Sequence, residues 1–340
     1  MLRSFALAAL LFSFAGAAVA LTGCGNGVAT QLPSGTAIRV HESSSGSWMD
    51  PTAKAENLIY VSTFPYQGKS VVEVYSWAKR EYVGMLTDAV NPRFLCSDKA
   101  GNVFVTDYDT SQIFEYAHGG TSPIAILKDE GHSPRACGSD GVTGDLAVVD
   151  ADDIAIYRNA SGDPTRYTDV HFAKYRFCGY DDKGNLLVDG TKPSEHEVQH
   201  FILAELPKGG KSLTEISLEP LNFIPNEPGS VQWDGKYMAV GDAWNNTANQ
   251  FKITGSTGSH QGTAHLDLGE GLVQQFWIPK FGNGTRNPQA SQIVAAQFLV
   301  GSRHDPGDIG FWDYPNGGVP KHLLVSPDHP DGITVSILRK

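Results

Sequence analysis

The chain has 340 residues, of which 41% are hydrophobic and 19% charged, with 37 Gly and 19 Pro. That is a globular composition with many tight turns, not a disordered one, and it is long enough for one large domain. The net charge of −11 argues against a nucleic-acid partner, because phosphate binding needs a basic face.

The first element is an export signal. Arg3 supplies the cation, and an apolar run from Phe5 to Leu21 follows, softened by Ser13 and Gly16 and short for a stable membrane span. Residues 1–23 are therefore read as a signal peptide. Leu21-Thr22-Gly23-Cys24 resembles the bacterial lipobox, which implies that Cys24 is lipidated, becomes the mature N-terminus and ties the protein to a membrane. The alternative is ordinary cleavage nearby and a soluble secreted protein. Residue 25 is Gly rather than Asp, which points to the outer membrane or cell surface within a bacterial cell envelope. Residues 24–56, with "ESSSGS", read as a flexible tether whose roughly 30 residues would reach about 30 Å root-mean-square.

A repeat organises residues 57–340. "PRFLCSDKAGNVFVTD" begins at Pro92, "PRACGSDGVTGDLAVVD" at Pro134, "YRFCGYDDKGNLLVDG" at Tyr175 and "PGSVQWDGKYMAVGD" at Pro228. A second phrase closes each unit in a Gly-rich turn, as in "IFEYAHGGTSP" and "LAELPKGGKSL". Four short strands in a period close to 42 residues make a propeller blade, with strand A innermost and D outermost. A less regular unit starts near Leu272. The first unit, "NLIYVST", begins with a B strand and lacks strand A; "PDGITVS", from Pro330, matches "PRFLCSD" in length and supplies it. The expected fold is all-β: a six-bladed β-propeller closed by the C-terminal strand, with no sheet edge left open at the closure. The repeat resembles the NHL-type repeat of six-bladed propellers of the TolB-like group. That resemblance implies architecture and not one function, because such folds host binding proteins, lyases and lactonases.

"HEVQH" (196–200) has the H-E-x-x-H spacing of zinc peptidases, which on a helix would let His196 and His200 share a metal while Glu197 acts as base. The repeat register instead makes Phe201–Leu206 strand C of blade 4 and the motif a lengthened B–C connection. No nucleophile elbow, P-loop or dinucleotide fingerprint is present in the sequence, and no cofactor is implied.

Arg93, Arg135 and Arg176 share one blade position at the start of strand A, while Asp107, Asp150, Asp189 and Asp242 share the end of strand B. Both positions lie toward one face, around the axial mouth. The functional reading is a ring for an anionic or polyhydroxylated ligand, with Arg as bidentate donor. The alternative is that these Arg and Asp pair with one another to fix loops. Phe64, Tyr66, Tyr108 and Trp244 follow strand B and would stack on a sugar or a protein partner, or cap blade ends. The turn residues Asp98, Asp140, Asp181 and Asp234 read as structural. The resulting reading is an extracytoplasmic binding or scaffold module; the competing one is a metal-assisted lyase or hydrolase working at the axial face.

Three cysteines remain beyond Cys24. Cys137 and Cys178 occupy one blade position, so both point the same way round the ring and do not meet. Cys96 is one residue later in register, with the opposite parity. If Cys137 faces back to blade 2, a 96–137 bridge becomes possible; otherwise all three are small buried hydrophobes. The second outcome is the expectation, because inner strands of adjacent blades are often too far apart for a Cα separation of roughly 4.4–6.8 Å.

The lipobox reading predicts that Cys24→Ala moves the protein out of the membrane fraction, since acyl chains anchor at about 0.8 kcal/mol per buried CH₂. A mutant that still sediments with salt-washed membranes would contradict it.

Overall fold

The computed structural model describes residues 46–64, 68–193, 200–267, 269, 271–279, 292–297, 307–326 and 328–338. Six separate sheets make the six blades of a propeller; their strands run antiparallel from the axis outward, except that in blade 5 the short strands Ser217–Glu219 and Gly317–Gly318 pair parallel with the outer strand Thr257–Leu266. Blade 2 shows the plan: A is Pro92–Ser97, B Val103–Asp107, C Gln112–Tyr116 and D Ala125–Lys128. In blades 3 to 6 strand A is Ala136–Ser139, Lys174–Tyr180, Pro228–Trp233 and Phe276–Trp277. Strand B of blade 2 is buried along its whole length, as is Leu58–Thr63 in blade 1. Both faces of each sheet pack on neighbouring blades, so the strands do not alternate apolar and polar.

The repeated Asp residues explain the turns. In the A–B turn of blade 2, Asp98 Oδ1 accepts the N–H groups of Ala100 and Asn102, both at 2.8 Å, and Gly101 takes φ +91°. Asp181 repeats this with Lys183 and Asn185 at 2.8 Å, with Gly184 at φ +85°. A short polar side chain bonding its own backbone, followed by a residue tolerant of positive φ, is a turn mechanism.

Closure by the C-terminus is as expected: His329–Ser336 is strand A of blade 1 and pairs with Leu58–Phe64. Blade 1 also takes in residues assigned above to the tether, because Trp48–Met49 adds an outermost strand on Tyr82–Leu86. Two residues are too few for a periodic signal, and only the pairing reveals them.

The cysteine expectation is corrected. Cys96 and Cys137 form a disulfide, with Cα atoms 5.6 Å apart. The parity argument holds: Cys137 Sγ faces back toward Phe104 O of blade 2, Cys178 Sγ toward Ala147 O of blade 3, and Cys178 stays a buried free thiol. The objection on distance fails because the inner strands converge. Gly138 has the Cys178 carbonyl where its Cβ would contact it at 3.0 Å, and a Cβ at Gly179 would overlap the Val231 carbonyl. Gln275, just before strand A of blade 6, reaches across to blades 1 and 2. Gln275 Oε1 accepts from Leu95 N (3.2 Å) and Ile333 N (2.8 Å), and its Nε2 donates to Leu95 O (2.7 Å).

The closure carries a buried acid. Glu73, in strand C of blade 1, accepts hydrogen bonds from Tyr75 Oη (2.7 Å) and from Ser326 Oγ (2.9 Å), just before the closing strand. Burial, with a smaller push from Asp328, raises its pKa from 4.5 to about 7.

Two outcomes follow. Deleting Asp331–Lys340 removes the inner strand of blade 1 and should lower Tm far more than an ordinary surface truncation; a loss of only a few degrees would refute closure. Because the folded-state pKa of Glu73 is raised, the folded state holds the extra proton between the two pKa values. Stability should therefore fall as pH rises from about 4.5 to about 7, by an amount on the order of 3 kcal/mol. Glu73→Gln, which keeps both acceptor bonds and carries no charge, should flatten that slope and raise Tm at pH 8; an unchanged pH profile would contradict the assignment.

Candidate functional site

The entrance to strand A is built by a recurring irregularity. In blade 2 the A–B register shifts between Pro92 and Leu95, and in blade 4 between Tyr175 and Cys178. Such bulges re-aim side chains. Here they turn Arg93-Phe94 and Arg176-Phe177 toward the axial mouth. In blade 3, Arg135 lies just before the strand; its N–H bonds Val149 O (2.9 Å) and its carbonyl accepts from Phe94 N (3.1 Å) and Thr106 Oγ1 (2.7 Å) of blade 2.

The three arginines, which the sequence placed at one register position, converge on one cavity of about 370 Å³. Phe94 and Phe177, with ring centroids 4.6 Å apart, are also among its lining residues and form an apolar floor. Glu227 and Trp244 of blade 5 and Gln274 complete the opposite wall. Trp244 is 68% exposed, so a large apolar face stands open at the rim.

The arginines differ in their partners. Arg93 lies 3.5 Å from Asp331 and over the Phe64 ring at 4.8 Å. Arg176 reaches Glu227 only at 3.9 Å. Arg135 has no carboxylate within ion-pair distance among the described residues; its Nε lacks a hydrogen-bond partner, and its guanidinium rests 6.0 Å from the Tyr108 ring centroid. Burial first, then the like charges of Arg176 and Arg93, pull its pKa below the ordinary arginine value. An arginine nonetheless stays charged. Asp331 is buried, and burial raises its pKa against the pull of Arg93 and Arg135.

The four Asp residues are not ring members of the same kind. Asp107 accepts from Val90 N (2.7 Å) and Asn91 N (3.0 Å). Asp189 accepts from Phe177 N (2.8 Å), and Asp242 from Asn226 N (2.9 Å) and Trp244 N (3.1 Å). These three knot the loop before strand A to the end of strand B, and so hold the arginines in place. Their hydrogen-bond partners are backbone N–H groups and, for Asp242, also the Asn245 side-chain amide (2.7 Å), not the arginines.

Asp150 belongs to a different cluster, between the outer strands of blades 2 and 3. Arg166 Nη1 bonds Asp153 (2.8 and 2.9 Å) and Asp150 (3.2 Å), and its Nη2 bonds Asp129. Burial and the adjacent Asp153 and Asp129 carboxylates push the Asp150 pKa well up. His132, Asp150 and Asp153 offer ligand atoms within 4.8 Å of one another, a spacing suited to a metal. Arg166, however, already supplies a cation there.

The register's placement of strand C in blade 4 is met to within one residue: His200 opens that strand, His200–Leu206, is exposed and pairs with Lys192. His196, Tyr66 and Cys24 lie outside the described residues. Asp331, Glu227 and Gln274 were not singled out from sequence. For Asp331 the signal existed: the alignment of "PDGITVS" with "PRFLCSD" sets it level with Arg93.

These features define a six-bladed β-propeller with a basic axial mouth. No protein-family model and no curated protein matches the chain. Among solved structures it is similar to a chain in the crystal structure of a nidogen/laminin complex, with TM-score 0.60 and 14% identity over 83% of this chain and 98% of that one. It is also similar to a protein of unknown function from Bacteroides caccae, with TM-score 0.58 and 12% identity over 83% of this chain and 99% of that one. At these identities the likeness shows the fold alone.

Proposed function

We propose that the protein is a lipid-anchored binding module of a bacterial cell envelope, held by Cys24, whose axial mouth takes a carboxylate-bearing ligand. The observation that carries this reading is Arg135: a charged, half-buried guanidinium with no carboxylate in ion-pair range among the described residues, set between Arg93 and Arg176. A planar fork of donors suits a carboxylate, and the neighbouring arginines both raise the local potential and offer further donors. The apolar floor and Trp244 give the uncharged part of a ligand a surface to cover. A sugar acid, a small organic acid or an acidic side chain of a partner protein fits this chemistry. One of the solved neighbours comes from a complex of two proteins, which is in keeping with a binding role for the fold.

The test is calorimetric titration of the full-length protein with citrate, gluconate and an Asp-rich peptide. At least one should bind, more weakly as salt is raised, because the cavity is open to solvent. Arg135→Gln should weaken that binding by about tenfold to hundredfold, the worth of a charge-assisted hydrogen bond. Failure of all three probes, or equal binding by the variant, would overturn the reading.

A further inference from the structure

The axis has a second end. Where the inner strands finish, a larger cavity of about 620 Å³ opens on the face opposite the arginines, lined by residues from all six blades. Two barriers separate it from the basic mouth. One is the Phe94–Phe177 pair; the other is Gln275, whose amide ties Leu95 and Ile333 across the axis. The joint between blades 5 and 6 forms part of its wall. Gln232 spans that joint with two hydrogen bonds of 2.8 Å to the backbone of Ile278, where blades 3, 4 and 5 meet backbone to backbone at glycines.

Its chemistry differs from that of the mouth. Trp233, Trp277 and Tyr180 give it aromatic surface, and both tryptophans are half-buried rather than covered. Ser139 and Thr334 add hydroxyls to the wall. Formal charge is present but committed. Asp98 accepts the turn bonds of Ala100 and Asn102, and Lys99 Nζ donates to Gly141 O at 3.2 Å. A volume within about 300–1,000 Å³, apolar rings and a few placed polar groups is the usual make-up of a small-molecule site. Rings offer a face to the C–H side of a ligand, hydroxyls and amides meet its hydroxyls, and no uncommitted charge calls for an ionic group.

We infer that this cavity is a second binding site, for a neutral polyhydroxylated ligand of mono- or disaccharide size. It is independent of the basic mouth and of what that mouth binds.

The full-length protein is titrated with methyl glucoside, cellobiose and N,N′-diacetylchitobiose at millimolar concentration, read by tryptophan fluorescence and by saturation-transfer NMR. At least one sugar should give a saturable response. Trp233→Ala should weaken it by about tenfold or more, the loss of one stacking face. Ser139→Phe, which fills the cavity from its wall and spares the tryptophan, should abolish it, and remains readable if Trp233→Ala fails to fold. Arg135→Gln should leave it unchanged. No saturable response from the wild type to any of the three sugars would overturn the inference. So would a response that survives both cavity variants, or one lost with Arg135.

Discussion

Everything in this molecule depends on how closely six inner strands approach a common axis. A sheet blade is wedge-shaped, and its narrow edge tolerates only small side chains where it meets the next blade. Gly138, Gly179 and Gly332 occupy such places: a Cβ at Gly179 or Gly332 would overlap a carbonyl oxygen of the following blade's inner strand, and one at Gly138 would press on the Cys178 carbonyl at 3.0 Å. Cys96 shares the register position of Gly138 and Gly179 but is not small enough to vanish; it is accommodated by bonding to Cys137 of the next blade. In the chain-entropy picture a bridge closing a loop of about 40 residues stabilises by about 4 kcal/mol. At the joint between blades 5 and 6, the Gln232 side chain makes the link through two amide hydrogen bonds to the Ile278 backbone.

The same convergence creates the site. Where the strands enter the ring, the A–B ladder slips by a bulge and the side chain at that point turns to the axis. Repetition of the unit then places the same residue type at successive points of one circle, so a basic mouth arises from a repeated "R" rather than from one local motif. Such a cluster is costly unless it is anchored, and the anchors are backbone: Asp107 and Asp189 fix the approach loops or the strand entrance with N–H bonds, leaving Arg135 with no ion-pair partner among the described residues and its Nε without a hydrogen bond. Arrangements that hold unfavourable charge in place are where binding sites are found.

Much of the fold was legible because turn chemistry repeats. Asp98 and Asp181, each followed three residues later by a glycine, mark A–B turns, and the missing strand A of the first unit announced the closing strand at Pro330. The Arg triad was legible for the same reason. The roles of the Asp residues were not. Four carboxylates at one register position read alike, yet three are claimed by backbone N–H groups and Asp150 by Arg166, a choice made by loop geometry that spacing does not encode. Side-chain parity for the cysteines was legible, but the inter-blade distance was not, since that depends on glycines of other blades. Gln275 gave no signal at all, because its three hydrogen bonds run to Leu95 and Ile333 in two other blades. His200 shows the reverse hazard: the last residue of a motif with metal-site spacing opens a strand.

The central claim is that the axial mouth is a carboxylate site organised by Arg135. Its most direct measurement is an anomalous difference map from crystals of the protein soaked in bromoacetate. The account predicts a bromine peak inside the cavity between Arg93, Arg135 and Arg176, with the carboxylate density on the Arg135 guanidinium. A mouth without bromine density, beside peaks on lysines elsewhere on the surface, would contradict it.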